Sequence, residues 1–389
     1  MMTNYFKPFF LALFCLVLFS CGGNDSPTEN TKVDDGFDRK EMLRHWADNF
    51  IIPYTEKFKD EAANLDTKIK AFAQEPNQTH LTEVREALNK TYEAYQYIGF
   101  YRLGKAEEVS MNFLYRVNTY PTNTERIKQN AKDHNYNFRQ LSEIQGGKIA
   151  QGLPAIDYLV NGLEADDNAI LAQYTSGQEA AAYKAYLSAL SAEILKSATE
   201  VLADWKGGYR NKFVENTDSN ASGSISLMVN AYVQYYEKNL RAAKIGYPSG
   251  VLTPMFLAQS EAPKPHLIES QFAPQYSRAY ALLGTKAMLE FFQGKGANGK
   301  SGKSLQHYID YMATKNAHHK TLSQDIVRQF EEAIKNIEAL NPNFKIQITQ
   351  DLAQMKNAYF SLQQNVTKLK VDMAQSLNIT ISYMDTDGD

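Results

Sequence analysis

Few side chains in this sequence fall at spacings that could do chemistry, and the clearest are carboxylates. One lies in Gly152-Leu153-Pro154-Ala155-Ile156-Asp157-Tyr158-Leu159-Val160-Asn161-Gly162, where Asp157 is the single acid in an apolar run bounded by glycines. Gly152 lets the backbone turn. Pro154 suits the first turn of a helix, where a backbone N–H has no intrahelical partner. Asp157 then stands early in that helix, where the dipole favours a negative charge, and Gly162 can end it. The reading is a helix of about two turns, packed by Leu153, Ile156, Leu159 and Val160. Its one carboxylate is either a ligand-binding anchor or part of a plain packing helix.

A second candidate is His266-Leu267-Ile268-Glu269. Donors at i and i+3 share a helix face and could hold one cation. Pro263 and Pro265 put His266 near a helix start, so a solvent-facing histidine is the other reading. Together these give a candidate metal set of Asp157, Glu269 and His266, for iron or another divalent ion. Tyrosine is abundant, at 24 residues. It clusters in Tyr92, Tyr95, Tyr97 and Tyr101 and again in Tyr232, Tyr235 and Tyr236, with Arg102, Arg116, Arg241 and Lys244 close in sequence. A buried tyrosine wants a hydroxyl partner. Such clusters fill a core, or they line a polar cleft where Arg and Tyr bind an anionic or metal-chelating ligand.

Other chemistries lack their residues. There is no His-Glu-x-x-His, no Cys-x-x-Cys-His for covalent haem and no local Ser-His-Asp motif. His45, His80 and His134 have no evident partner, and His307 and His318 are separated by an expected helix break. Gly294 to Gly302 reads as a mobile loop without the order of a phosphate-binding P-loop. Asp385, Asp387 and Asp389 have the spacing that opens a calcium loop, but no distal Glu follows them, so a solvated acidic end is expected. No catalytic residue is assigned.

The elements that must position these residues are helices. Residues 1–20 read as a signal peptide with an apolar core too short to span a membrane comfortably. Leu18-Phe19-Ser20-Cys21 looks like a lipobox, which makes Cys21 a lipidation site and the membrane a partner. Residues 21–37 are polar and read as a disordered tether. Cys15 and Cys21 are the two cysteines, so the mature domain has no disulfide or thiolate site. A net charge of −3 gives no reason to expect nucleic acid. Tyr183, Leu187, Leu190, Ile194, Ala198, Val201 and Trp205 step by three and four, the mark of an amphipathic helix. Leu352, Met355, Tyr359, Leu362, Val366, Leu369 and Met373 repeat it, as do Ile326, Phe330, Ile334 and Ile337. Further helices are expected over 39–72, 80–104, 122–141, 221–245, 264–293 and 304–316, with a kink or break at Pro53. Thr175-Ser176-Gly177-Gln178 reads as a capping box. Leu377 to Tyr383 alternates like a strand. The glycines and polar run after Asp204 place a boundary between a bundle over 38–206 and another over 207–389.

The chain also resembles the imelysin-like proteins, the peptidase M75 family. In that family a Gly-x-His-x-x-Glu motif opens a helix, and here it reads Gly152-Leu153-Pro154-Ala155-Ile156-Asp157. Asn49-Phe50-Ile51-Ile52-Pro53-Tyr54, Lys244 to Gly250 and Glu269-Ser270 resemble further landmarks, in order. The resemblance implies an all-α fold of two packed helical bundles, here with a short extended tail. It also implies a place in the cell envelope, on the outer membrane or facing the periplasm, and a link to iron acquisition. Pro154 offers no side-chain ligand and Asp157 is one methylene shorter than Glu, which argues against catalysis. The expected cleft residues are Asp157, Glu269, Ser270, Arg241 and Tyr101. The expected role is a non-catalytic lipoprotein component of iron or haem uptake, with an uptake receptor or another envelope protein as partner. The alternatives are an M75-type metallopeptidase and a structural or partner-binding lipoprotein.

Overall fold

The structure is a computed structural model that describes residues 35–108, 111–141, 147–255, 257–316 and 319–383. The signal-like segment, Cys21, most of the tether, His318 and the three aspartates from Asp385 lie outside the described residues.

Two sets of helices carry the core. In the first, Ile52–Gln74 packs between Gln78–Tyr95 and Ala180–Asp204. The stripe from Tyr183 to Trp205 is buried along its whole length. In the second, Leu322–Glu338 packs between Ser277–Gln293 and Leu352–Gln363, and those two pack on a long π-helix, Tyr235–Gly246. Ile326, Phe330 and Ile337 face its interior, as do Met355, Tyr359 and Leu362. The buried apolar residues of both sets form one continuous cluster. The described residues contain no strand, only an isolated bridge between Lys295 and Ser301 that closes the glycine loop. None of the described helices is long and apolar enough to cross a membrane.

The chain enters through the second set. Arg39–Trp46 packs on Arg210–Glu215 and Ser224–Gln234, and Phe37 stacks on Tyr308 at 4.4 Å. Asp35 accepts a hydrogen bond from Arg39 at 2.7 Å, so the last tether residues are docked. The chain crosses to the first set through a π turn, Ala47–Ile51, and leaves it through another, Trp205–Tyr209. The two crossings lie side by side. Ion pairs Asp48–Arg210, Glu56–Lys206 and Lys40–Glu215 lace them together, each worth under about 1 kcal/mol at these exposed positions.

Several local expectations change. The kink expected at Pro53 takes the form of the first π turn. The Ile52 N–H reaches back to the Ala47 carbonyl, and Pro53 falls in the first turn of the resumed helix, where its missing donor costs little. Thr175 to Gln178 is no capping box. Ser176 and Gly177 bond back to the Ala172 carbonyl and end the preceding helix, and Ala180–Asp204 starts without a side-chain cap. The helix expected over 264–293 begins only at Ser277, because Pro265 and Pro274 each open a short 3-10 turn. The tail forms no strand: Asn230 donates to the Thr380 carbonyl at 3.0 Å and accepts the Ser382 N–H at 2.8 Å, replacing a ladder.

Gly152 has φ +74°, and a Cβ there would run into the carbonyl oxygens of Arg116 and Val117. Both the left-handed backbone and the close approach demand glycine. Gly152→Ala should cost about 2–3 kcal/mol in urea unfolding. Gly207→Ala, where no atom comes within 4 Å of an added Cβ, should change stability by less than about 1 kcal/mol.

Candidate functional site

The stretch around Asp157 folds as an α turn, Gly152–Asp157, continued by a π turn, Tyr158–Gly162. Leu153, Ile156, Leu159 and Val160 are all buried, as their spacing requires. Asp157 is itself only 1% exposed. Its Oδ1 accepts from Asn161 Nδ2 at 2.9 Å, and its Oδ2 accepts the Phe272 N–H at 3.0 Å. The carboxylate therefore fastens the irregular loop before Ser277 onto the helix. The Phe272 ring completes the clasp, lying 5.1 Å from the Tyr158 ring and filling the space where Gly162 lacks a side chain. Burial pushes the Asp157 carboxyl up to about 6, outweighing the pull of its hydrogen bonds and of the Lys345 charge.

The same loop holds Glu269 in place. Its Oε1 accepts from Gln96 Nε2 at 3.1 Å and Asn118 Nδ2 at 2.7 Å, and its Oε2 pairs with the Lys244 ammonium. Gln96 ends the Gln78–Tyr95 helix, Asn118 follows the short Phe113–Val117 helix, and Lys244 comes from the π-helix. One carboxylate thus ties the first helical set to the second. Both charged side chains are buried. Desolvation pulls the Lys244 ammonium down, with the Glu269 charge opposing it. Tyr92 Oη, Tyr235 Oη, Gln96 Oε1 and Asn118 Oδ1 are buried without a hydrogen-bond partner among the described residues. Two of these groups bond Glu269 through their amide nitrogens, and both tyrosines feel its charge. Buried polar atoms rarely go unsatisfied, so such a grouping marks a place suited to polar ligand atoms.

A cavity of about 130 Å³ adjoins this network, lined by Arg85, Tyr92, Asp157, Ser270, Tyr276 and Tyr280 among others. The Tyr92 and Tyr280 rings stack at 4.9 Å, and the Tyr280 hydroxyl donates to Asn89 at 2.8 Å. Arg85 is held by Asp167 at 2.7 Å and by the Val160 carbonyl at 2.9 Å. Of the residues singled out from sequence, Asp157 and Ser270 line the cavity, and Glu269 sits beside it in its ion pair. Arg241 and Tyr101 do not line it. Arg241 is a buried strut that donates to the Tyr359 hydroxyl at 2.6 Å, and Tyr101 lies in an aromatic core, 4.6 Å from Phe100. His266 is exposed on a 3-10 turn. Ile268 beyond it is extended, so His266 and Glu269 share no helix face.

The candidate metal set Asp157, Glu269 and His266 is therefore not assembled. Among the described residues no three His, Cys, Asp or Glu side chains converge to hold an ion. The oxygens of Asp157 are engaged by N–H donors, and Glu269 is matched to an ammonium. This donor set does not fit a resident divalent metal, which needs several lone pairs aimed at one point. Arg85, Asn89, Gln96, Asn118 and Tyr280 were not candidates from sequence. Only Tyr92 carried a signal, in its aromatic cluster; Arg85, Asn89 and Gln96 follow one another along or at the end of the Gln78–Tyr95 helix, Asn118 and Tyr280 come from distant segments, and nothing local marks any of them.

The sequence pattern of the family described as Imelysin, peptidase M75, matches residues 51–373. No curated protein matches the chain in sequence. Among solved structures, the chain is similar to a protein of Parabacteroides distasonis designated an iron-regulated protein A precursor, with a TM-score of 0.66 and 13% identity over 87% of this chain and 94% of that one. It is also similar to an imelysin-like protein of Psychrobacter arcticum, with a TM-score of 0.65 and 15% identity over 89% of this chain and 97% of that one. At these identities the likeness shows the fold.

Two predictions follow the geometry. Asp157 is raised on folding, so between pH about 4 and 6 the native state holds a proton that the unfolded chain has released. That contribution is complete below the unfolded value and is lost as pH rises through about 6. Asp157→Asn cannot ionise, so its stability relative to wild type should rise by about 2 kcal/mol between pH 4 and pH 7 in urea titrations. A flat difference would contradict the burial assigned to this carboxylate. Separately, Lys244→Met should cost about 3–5 kcal/mol, because it strands a buried charge. Adding Glu269→Gln should restore part of that loss, measured as a coupling energy in a double-mutant cycle.

Proposed function

Because the chain belongs to the imelysin family, the peptidase M75 group, we propose that it is a non-catalytic binding component of iron or haem acquisition, held at the cell envelope by a lipid on Cys21. The observation that carries this reading is the state of Asp157. Its carboxylate is used internally, fastening a loop through the Phe272 N–H, within a cavity whose Tyr92 hydroxyl has no partner among the described residues. An M75-type metallopeptidase would need a metal to polarise a carbonyl or activate a water. The resemblance sets Pro154 where the family motif has His, and Pro154 brings no ligand. Asp157 and Glu269 are both committed to protein donors.

The cavity's size weighs on the cargo. About 130 Å³ is well below the roughly 300–1,000 Å³ of pockets that enclose drug-sized ligands. It suits a few polar atoms of a small iron chelate better than a porphyrin ring. The iron link is supported by the designation of the Parabacteroides relative. The envelope location is supported by the lipobox-like Leu18-Phe19-Ser20-Cys21, and an outer-membrane uptake receptor or another envelope protein is the partner such a role calls for.

The test uses residues 22–389, purified without chelator. Ferric iron, zinc, a ferric hydroxamate chelate and haem are titrated in turn, and peptide hydrolysis is assayed in parallel. Uptake of iron in chelated form, weakened by Asp157→Ala, with no hydrolysis, is the expected result. Hydrolysis abolished by a chelator would reinstate the metallopeptidase. No uptake of any of the four would leave a structural or partner-binding lipoprotein. In cells, Cys21→Ser should move the protein from the membrane fraction to the soluble fraction.

A further inference from the structure

The charges of this chain are divided between its two helical sets. Residues 52–204 carry 16 Lys and Arg against 21 Asp and Glu, and residues 205–383 carry 20 against 13. The second set is therefore the basic side. Its densest positive stretch is Gly294 to Lys320, with five lysines and a single acid, Asp310. The entering chain docks on this same stretch. We propose that the face around the Leu305–Lys315 helix is a docking surface for an anionic phospholipid bilayer, and that the entry segment brings it there.

The entry segment lies along that helix. The Tyr311 hydroxyl donates to the Asp35 carbonyl at 2.9 Å, and the Tyr308 hydroxyl donates to the Asp35 carboxylate. Phe37 stacks on Tyr308, and the Lys303 ammonium lies 5.6 Å from the Phe37 ring centre and 3.1 Å from Asp38. At the far end of the helix the Lys315 ammonium lies 5.3 Å from the Tyr311 ring centre. Lysines thus bracket the segment at both ends of an eleven-residue helix, about 16 Å long. A lipid on Cys21 would be joined to the body through Asp35, fourteen residues further on. Such a length spans at most about 50 Å in any conformation, so the bilayer must lie within that reach of Asp35.

Lys300, Lys315 and Lys320 are exposed, and none is in an ion pair among the described residues. The acids nearby are matched or turned inward: Asp35 to Arg39, Asp38 to Lys303, Asp325 to Arg328 and Asp310 to Ser323. Glu290, the acid beside Lys295, is half-buried, and burial raises its carboxyl. Each lysine near an anionic bilayer strengthens binding about fivefold, so three give on the order of a hundredfold. That is too little to keep a soluble protein on a membrane, but it suffices to orient one that an acyl chain already holds. The role of this surface rests on the reading of Cys21 as a lipid anchor and is independent of the cargo.

Residues 21–389 contain Cys21 as their single thiol, so the test couples that thiol to a maleimide lipid in vesicles. Lysine acetylation is followed residue by residue by mass spectrometry, on vesicles of phosphatidylcholine alone and on vesicles containing one third phosphatidylglycerol. Lys300, Lys315 and Lys320 should react at least fivefold more slowly on the anionic vesicles, and the difference should vanish in high salt. Lys132 and Lys196, exposed lysines between residues 52 and 204, should react alike on both. Amide exchange over residues 294–303 should also slow on the anionic vesicles. It should lose that dependence in a chain carrying Lys300→Gln, Lys315→Gln and Lys320→Gln, three surface changes that leave the core intact. Equal acetylation on the two kinds of vesicle overturns the proposal and leaves the basic face to an anionic protein. Protection of Lys132 and Lys196 in place of the three lysines overturns it as well. Because the coupling is chemical, a Cys21 that is never lipidated in cells would count against the anchor reading and not against binding of the bilayer by this face.

Discussion

The buried ion pair between Glu269 and Lys244 is the contact on which the arrangement of the two helical sets depends. Glu269 takes hydrogen bonds from Gln96 and Asn118 of the first set and a charge from the π-helix of the second. Buried ion pairs seldom add much net stability over apolar contacts, but removing one partner is costly. The pair therefore specifies how the sets meet more than it strengthens their meeting. An apolar core would tolerate sliding by a fraction of a turn. A carboxylate with donors on three separate segments does not.

Polar groups collect around that pair, and two cavities border it on different segments, the one at Asp157 and another of about 210 Å³ beside the π-helix. Ser270, the neighbour of Glu269, lines the first, and Asn118, its hydrogen-bond donor, lines the second. Asp157 acts one step out, holding the loop that carries Glu269 by a backbone N–H. The π-helix matters for the same reason. Hydrogen bonding from i to i+5 widens the turn, and Lys238, Asn239 and Ala243 come to line one cavity while Lys244 turns to Glu269.

The sequence showed the long helices well, because Leu187, Leu190, Ile194 and their neighbours repeat at a period that only an amphipathic helix needs. Asp157 stood out because an acid within an apolar stretch is unusual, and Glu269 through its spacing from His266 and its place in a pattern that resembles the family's. The loop from His266 to Tyr276 was less legible, although Pro274 in the middle of the expected helix was a signal of it. The partners were hidden for a physical reason. Gln96 and Glu269 are 173 positions apart and Asn118 and Glu269 are 151 apart, and a neutral amide carries no pattern that announces a distant carboxylate. The π turns were also invisible, since one inserted residue shifts a helical period too little to read.

The order in which the chain is made gives the entry helix a further property. Arg39–Trp46 is near the start of the described chain, yet its packing partners begin at Arg210, and Asp48 and Arg210 are separated by 162 positions. At about 5–20 residues per second, synthesis delivers those partners roughly 10–30 s later. During that interval Met42, Leu43 and Trp46, all fully buried in the finished fold, have nothing to cover them. The first helical set can form meanwhile from residues 52–204, but the nascent chain carries a sticky leading edge until its second half arrives, and a chaperone that shields short apolar segments would find its substrate there.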